Sequence, residues 1–108
     1  MNRTQRREEM NGLIEQRLDA LRSMSPQELQ ALRVHPEFPA STEDVMIDGR
    51  LAKLLIYHQR SGNQHRVIVQ GVRLGTTGMS ALVVAKGFLF GEPGFVRDLR
   101  DDELYAYI

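Results

Sequence analysis

His35, His58 and His65 are the side chains whose ordinary pKa lies nearest neutrality, so any proton transfer or imidazole ligation in this sequence starts with them. His58 and His65 flank a Ser61-Gly62-Asn63 turn signal, and a hairpin there brings them near each other. No two histidines stand two to four residues apart, and no carboxylate lies in their stretch to complete a ligand set, so no metal site is expected. Their plain reading is as surface histidines at a hairpin end. An acid/base pair of His58 with Tyr57 meets a direct objection, because adjacent strand residues point to opposite faces. The chain has no cysteine, which removes thiolate nucleophiles, thiolate metal sites and disulfides. It has no G-x-S-x-G elbow, and Thr76-Thr77 reads as a turn. Asp101, Asp102 and Glu103 are acids at the start of a helix, where the positive helix end accounts for them. The glycines match neither a P-loop nor a dinucleotide fingerprint. The sequence therefore assigns no catalytic residue, no metal and no cofactor, and it leans away from an enzyme.

Charge is distributed unevenly. The chain carries 14 basic and 14 acidic residues, yet the stretch from Gly49 to Gly91 holds Arg50, Lys53, Arg60, Arg66, Arg73 and Lys86 and not one acid. An acid-free sheet could meet an anion, nucleic acid included, through Lys53, Arg60, His65 and Arg66. Against nucleic acid stand a pI near 6.8 and one expected exposed aromatic, Tyr57. The competing expectation is that flanking acids such as Glu28, Glu37, Glu43 and Asp98 neutralise the sheet internally. Arginine outnumbers lysine 12 to 2, but the arginines are spread along the chain and carry no motif.

The elements that would position these groups follow from periodicity. A length of 108 residues with 42% apolar and 26% charged side chains suits one α+β domain, residues 1–108. Met10, Leu13, Ile14, Leu18 and Leu21 recur at helical spacing and predict a helix from about Thr4 to Ser23. Ser25-Pro26-Gln27-Glu28 is a capping box with proline at the first helical position, predicting a second helix to about Arg33. Pro36 and Pro39 predict an extended connection through Ala40, anchored in the core by Phe38. Residues 41–99 then read as an antiparallel meander of four to five strands: Val45–Ile47, Leu51–Gln59, His65–Leu74, Ala81–Phe90 and Phe95–Leu99. Gly75-Thr76-Thr77-Gly78 and Glu92-Pro93-Gly94 supply turns. Residues 100–108 predict a short terminal helix burying Leu104, Tyr105 and Ile108. The opening residues lack the apolar core of a signal peptide and no apolar run approaches a membrane span, which gives the expectation of a soluble, cytoplasmic protein without a membrane partner.

Two-residue turns at Asp48-Gly49 and Gly62-Asn63 place Val45 opposite Ala52 and Ile56 opposite Val69, which sorts side chains by face. One face collects Val45, Ile47, Ala52, Leu54, Ile56, Val67, Val69, Leu82, Val84 and Phe88, and both N-terminal helices are expected there. The opposite face collects Leu55, Tyr57, Ile68, Val72 and Val83, rimmed by Lys53, Gln59, Arg66 and Gln70. A sheet apolar on both sides points to an interface. The leading expectation is a non-catalytic interaction or self-assembly module, a homodimer or a partner-binding protein, using that outer face.

Overall fold

The computed structural model of the chain describes residues 2–75, 80–92 and 94–107, with the backbone only of residues 80 and 81. The order is α1 (Arg3–Arg22), α2 (Pro26–Gln30), β1 (Ser41–Ile47), β2 (Arg50–Ser61), β3 (Gln64–Leu74), β4 (Ser80–Gly91), β5 (Gly94–Asp98) and a terminal 3₁₀ helix (Asp101–Tyr107). The strands form one antiparallel sheet in the order β1-β2-β3-β4-β5, an α+β meander. The Gly75-to-Gly78 turn, Pro93 and Ile108 fall wholly or partly outside the described residues.

Asn2 opens α1 with a reciprocal cap: its side chain accepts from the Gln5 amide at 2.9 Å while the Gln5 side chain accepts from the Asn2 amide at 3.0 Å. Met10, Ile14, Leu18 and Leu21 are buried on one stripe of this helix and lie on the inner sheet face with Ile47, Ala52, Leu54, Val67, Val69 and Phe88. The pairings Val45↔Ala52 and Ile56↔Val69 are as the turn signals require. Asp48 and Gly49 both have positive φ, 51° and 71°, the backbone that a two-residue hairpin joining twisted strands needs. Gly71 faces α1, and a Cβ there would overlap Met10 Sδ and lie 2.9 Å from its Cγ. The missing side chain lets the helix sit close to the sheet.

Four details depart from the sequence reading. The second helix ends at Gln30, and Leu29 is its buried residue. Its end tightens into i-to-i+3 bonding, the Ala31 amide shared between the Gln27 and Glu28 carbonyls and the Leu32 amide donating to the Leu29 carbonyl at 3.1 Å. The connection is bent over Pro36–Phe38 rather than extended, because the His35 ring accepts from the amides of Glu37 and Phe38 through Nδ1, both at 2.9 Å. That turn throws Phe38 outward, 63% exposed, where it packs on His35 instead of in the core. At the C-terminus the helix is 3₁₀, so residues three apart share a side: Leu104 is buried with Tyr107 half-buried beside it, and Tyr105 is 80% exposed.

The terminal segment covers part of the outer sheet face. Leu99 and Leu104 bury Ile68, Ala85 and Leu89, with Tyr57 and Tyr107 packed against the group. Gly87 makes the seat: a Cβ there would stand 2.9 Å from Leu99 Cδ1, and its carbonyl accepts from the Leu99 amide at 2.8 Å. No described helix is long and apolar enough to cross a membrane.

Candidate functional site

The Leu32 carbonyl, just beyond the end of α2, is taken by a histidine. His58 Nδ1 lies 2.8 Å from the Leu32 oxygen, and a carbonyl can only accept, so the proton of neutral His58 sits on Nδ1. Its other nitrogen, Nε2, therefore presents a lone pair. That lone pair is 2.8 Å from His65 Nδ1, which must donate, and the sequence of donors leaves His65 Nε2 as a bare acceptor. One backbone carbonyl thus fixes the tautomers of two imidazoles.

His58 is fully buried, contrary to its expected place on the surface. It stands on the inner face because it continues the Ala52, Leu54, Ile56 alternation, and residue 65 joins it as the cross-strand partner of Arg60. Phe90, also fully buried, stacks on the His65 ring with centroids 4.6 Å apart and planes 18° apart. His65 is half-buried and lines a half-open cleft of about 640 Å³ at this end of the sheet. Gln30 from α2, Arg60 from β2, Asn63 and Gln64 from the hairpin and Glu92 beyond β4 form its polar wall. Burial holds the His65 pKa below the usual histidine range, and the neighbouring His58 ring and Arg60 cation push the same way. His65 is thus a neutral acceptor beside a cation. Among the described residues no group of three His, Asp or Glu side chains could hold a metal ion.

The residues expected to bind an anion are divided between the faces. Arg60 and His65 meet at the cleft, and the Arg60 Nε donates to the Gly62 carbonyl at 3.1 Å, which turns the guanidinium along the hairpin. Lys53 and Arg66 belong to the outer face. Lys53 pairs with Asp44 at 3.1 Å, and Arg66 stands between Gln59 and Leu89 in the register. Of the other sheet cations, Lys86 pairs with Glu15 of α1 at 2.9 Å, and Arg73 is buried with its Nε 3.4 Å from the Ile47 carbonyl. Glu43 and Asp98, expected to neutralise the sheet, instead hold α1 through Arg17 and Arg22. Neutralisation is real but partial, and it comes from Asp44 and Glu15.

The expected interface residues are divided as well. Ile68 is fully buried beneath the chain's own C-terminal segment, and Tyr57 packs edge-on against Tyr107 with centroids 5.1 Å apart. The two glutamines of the polar rim are spent on the same segment. Gln70 donates to the Tyr107 carbonyl at 2.9 Å and accepts from the Tyr57 hydroxyl at 3.1 Å, while Gln59 donates to the Tyr107 hydroxyl. Leu55, Val72 and Val83 lie beyond the reach of this cover and are half-buried. Met46 and Leu51, paired across β1 and β2 on the same side, are 59% and 45% exposed. Compared with protein-family models, curated proteins and solved structures, the chain finds no match.

Proposed function

We propose that this protein is a self-assembly module that pairs with a second copy of itself through the open half of its outer sheet face. The observation that carries the reading is the strip Met46, Leu51, Leu55, Val72 and Val83, which the terminal segment leaves uncovered. An antiparallel sheet with one solvated face ordinarily carries polar residues there. A two-fold contact requires one patch able to meet its own copy. Lys53 and Asp44 adjoin the strip as an opposite-charge pair, so a rotated copy can set each against its complement. The formal net charge of zero removes long-range repulsion between copies. The β1 edge is not the contact favoured, because Glu43 and Asp44 on that short strand oppose edge-to-edge pairing.

Light scattering after size exclusion, at low and at high salt, tests this reading. A dimer that persists in high salt is the expected result, with Leu51→Glu reducing it to monomer while the fold is retained. A strict monomer at high micromolar concentration sinks the proposal.

A further inference from the structure

The hairpin end of the inner face is independent of the strip, and its geometry has a use of its own. We propose that the cleft between Arg60, His65 and Gln30 binds a small oxyanion, of the carboxylate or phosphate-monoester class, and takes up one proton as it does so. The cleft volume of about 640 Å³ is that of a small-molecule site. Its lining includes a guanidinium, a half-buried imidazole acceptor and the side-chain amides of Gln30, Asn63 and Gln64.

The proton follows from the tautomers. In the empty cleft, burial and the Arg60 charge oppose a cation at His65. An oxyanion seated on Arg60 offsets that charge and offers an acceptor where His65 Nε2 has none to donate to. A proton then passes from hydronium or the buffer acid to the Nε2 lone pair, the donor's own bond to it breaking and its conjugate base returning to solvent. The resulting imidazolium keeps its Nδ1 bond to the His58 lone pair, and His58 keeps its own to the Leu32 carbonyl, so the cation is hydrogen-bonded on both sides. Phe90 beneath the ring adds a favourable face for the positive charge. The charged and titratable groups around His65 are His58 and Arg60 on β2 and Glu92 beyond β4; α2 contributes the uncharged Gln30 and β5 the apolar Val96. Glu92 also lines the cleft, and its carboxylate disfavours a polyanion running through it, which favours a small molecule over a nucleic-acid strand.

Sulfate is a suitable probe because it does not titrate near neutrality. Calorimetry of sulfate binding between about pH 5.5 and 7.5, in two buffers of different ionisation enthalpy, reads affinity and proton uptake together. The expected result is tighter binding as the pH falls, by up to about tenfold per pH unit, with as much as one proton taken up per sulfate. Arg60→Gln should lose about tenfold or more in affinity. His65→Gln should still bind weakly but without proton uptake. Ring nitrogen NMR of the wild-type protein needs no variant: both imidazoles should carry Nδ1 protons in the free state, with His65 Nε2 gaining one on addition of sulfate. Affinity independent of pH, or His58 protonated at Nε2 in the free protein, overturns the proposal. So does an oligonucleotide that binds far more tightly than sulfate with a steep salt dependence. Leu51→Glu should leave sulfate binding unchanged, so failure of the dimer and failure of this site are separable.

Discussion

Leu99 is seated on Gly87: its amide donates to the Gly87 carbonyl at 2.8 Å, and its Cδ1 lies 2.9 Å from the point a Cβ on Gly87 would occupy. The same Cβ would overlap the Val67 carbonyl oxygen on the neighbouring strand, which cannot move aside as a flexible side chain could. Gly87→Ala should therefore destabilise the fold by about 1–3 kcal/mol, the usual range for overpacking. Its second consequence is positional. Lifting Leu99 uncovers Ile68, Ala85 and Leu89, so the variant should associate more than the parent at equal concentration. Urea denaturation reads the first effect and size exclusion the second.

Met10 and Gly71 form the corresponding contact on the inner face. There the obstruction is a thioether, which is adaptable, so Gly71→Ala should cost less than Gly87→Ala. Met10→Ala alone opens a cavity and should cost about 2–5 kcal/mol. Combined, the two changes partly fill each other's fault. A double-mutant cycle by denaturant titration should show the pair less destabilised than the sum, by about 0.5 kcal/mol or more.

The face assignment was legible because turns and alternation are local. Asp48-Gly49 and Gly62-Asn63 fix the register, the register fixes the parity, and parity alone separates Leu54 from Leu55. What covers each face depends on distant segments and was legible only in part. The stripe on α1 showed where that helix packs, but the C-terminal cover hinges on Gly87, whose significance appears only when Leu99 is known to lie over it. The buried histidine illustrates the same limit. The alternation that places Leu54 and Ile56 inside also places His58 inside, so its burial was readable; its partner was not, because the Leu32 carbonyl comes from 26 residues away.

Glu103 makes the terminal segment sensitive to acid. Arg97 grips its carboxylate with bonds of 2.7 and 3.0 Å and the Arg100 amide adds one of 3.0 Å, which together lower its pKa to about 2. A carboxylate whose folded pKa lies below its unfolded value stabilises the fold above the unfolded pKa, here near 4.5, and loses that contribution as the pH falls toward 2. Carboxyl NMR should show Glu103 titrating near 2, well below an ordinary glutamate. Tyr107 resonances should shift over the same window in the parent and remain flat in Glu103→Gln. High salt should weaken the effect, since Arg97 is exposed.

His65, on the inner face of the sheet, adds a pH dependence of the same sign from a different cause. Its folded pKa lies below 6.5 because burial, His58 and Arg60 all disfavour the imidazolium. Between the folded value and 6.5 the unfolded chain binds more protons than the folded one, so stability rises with pH across that window and falls on acidification. In His65→Gln this part of the dependence should vanish, leaving a flatter stability profile as the pH falls below 6.5. Sulfate should change the sign of the comparison. With Arg60 occupied by an oxyanion the imidazolium is favoured, so added sulfate should stabilise the parent more at pH 5.5 than at pH 7.5, and His65→Gln about equally at both. Thermal melts at the two pH values, with sodium chloride matched for ionic strength as the control, read this directly. Equal stabilisation of the parent at both values would mean that His65 does not take up the proton.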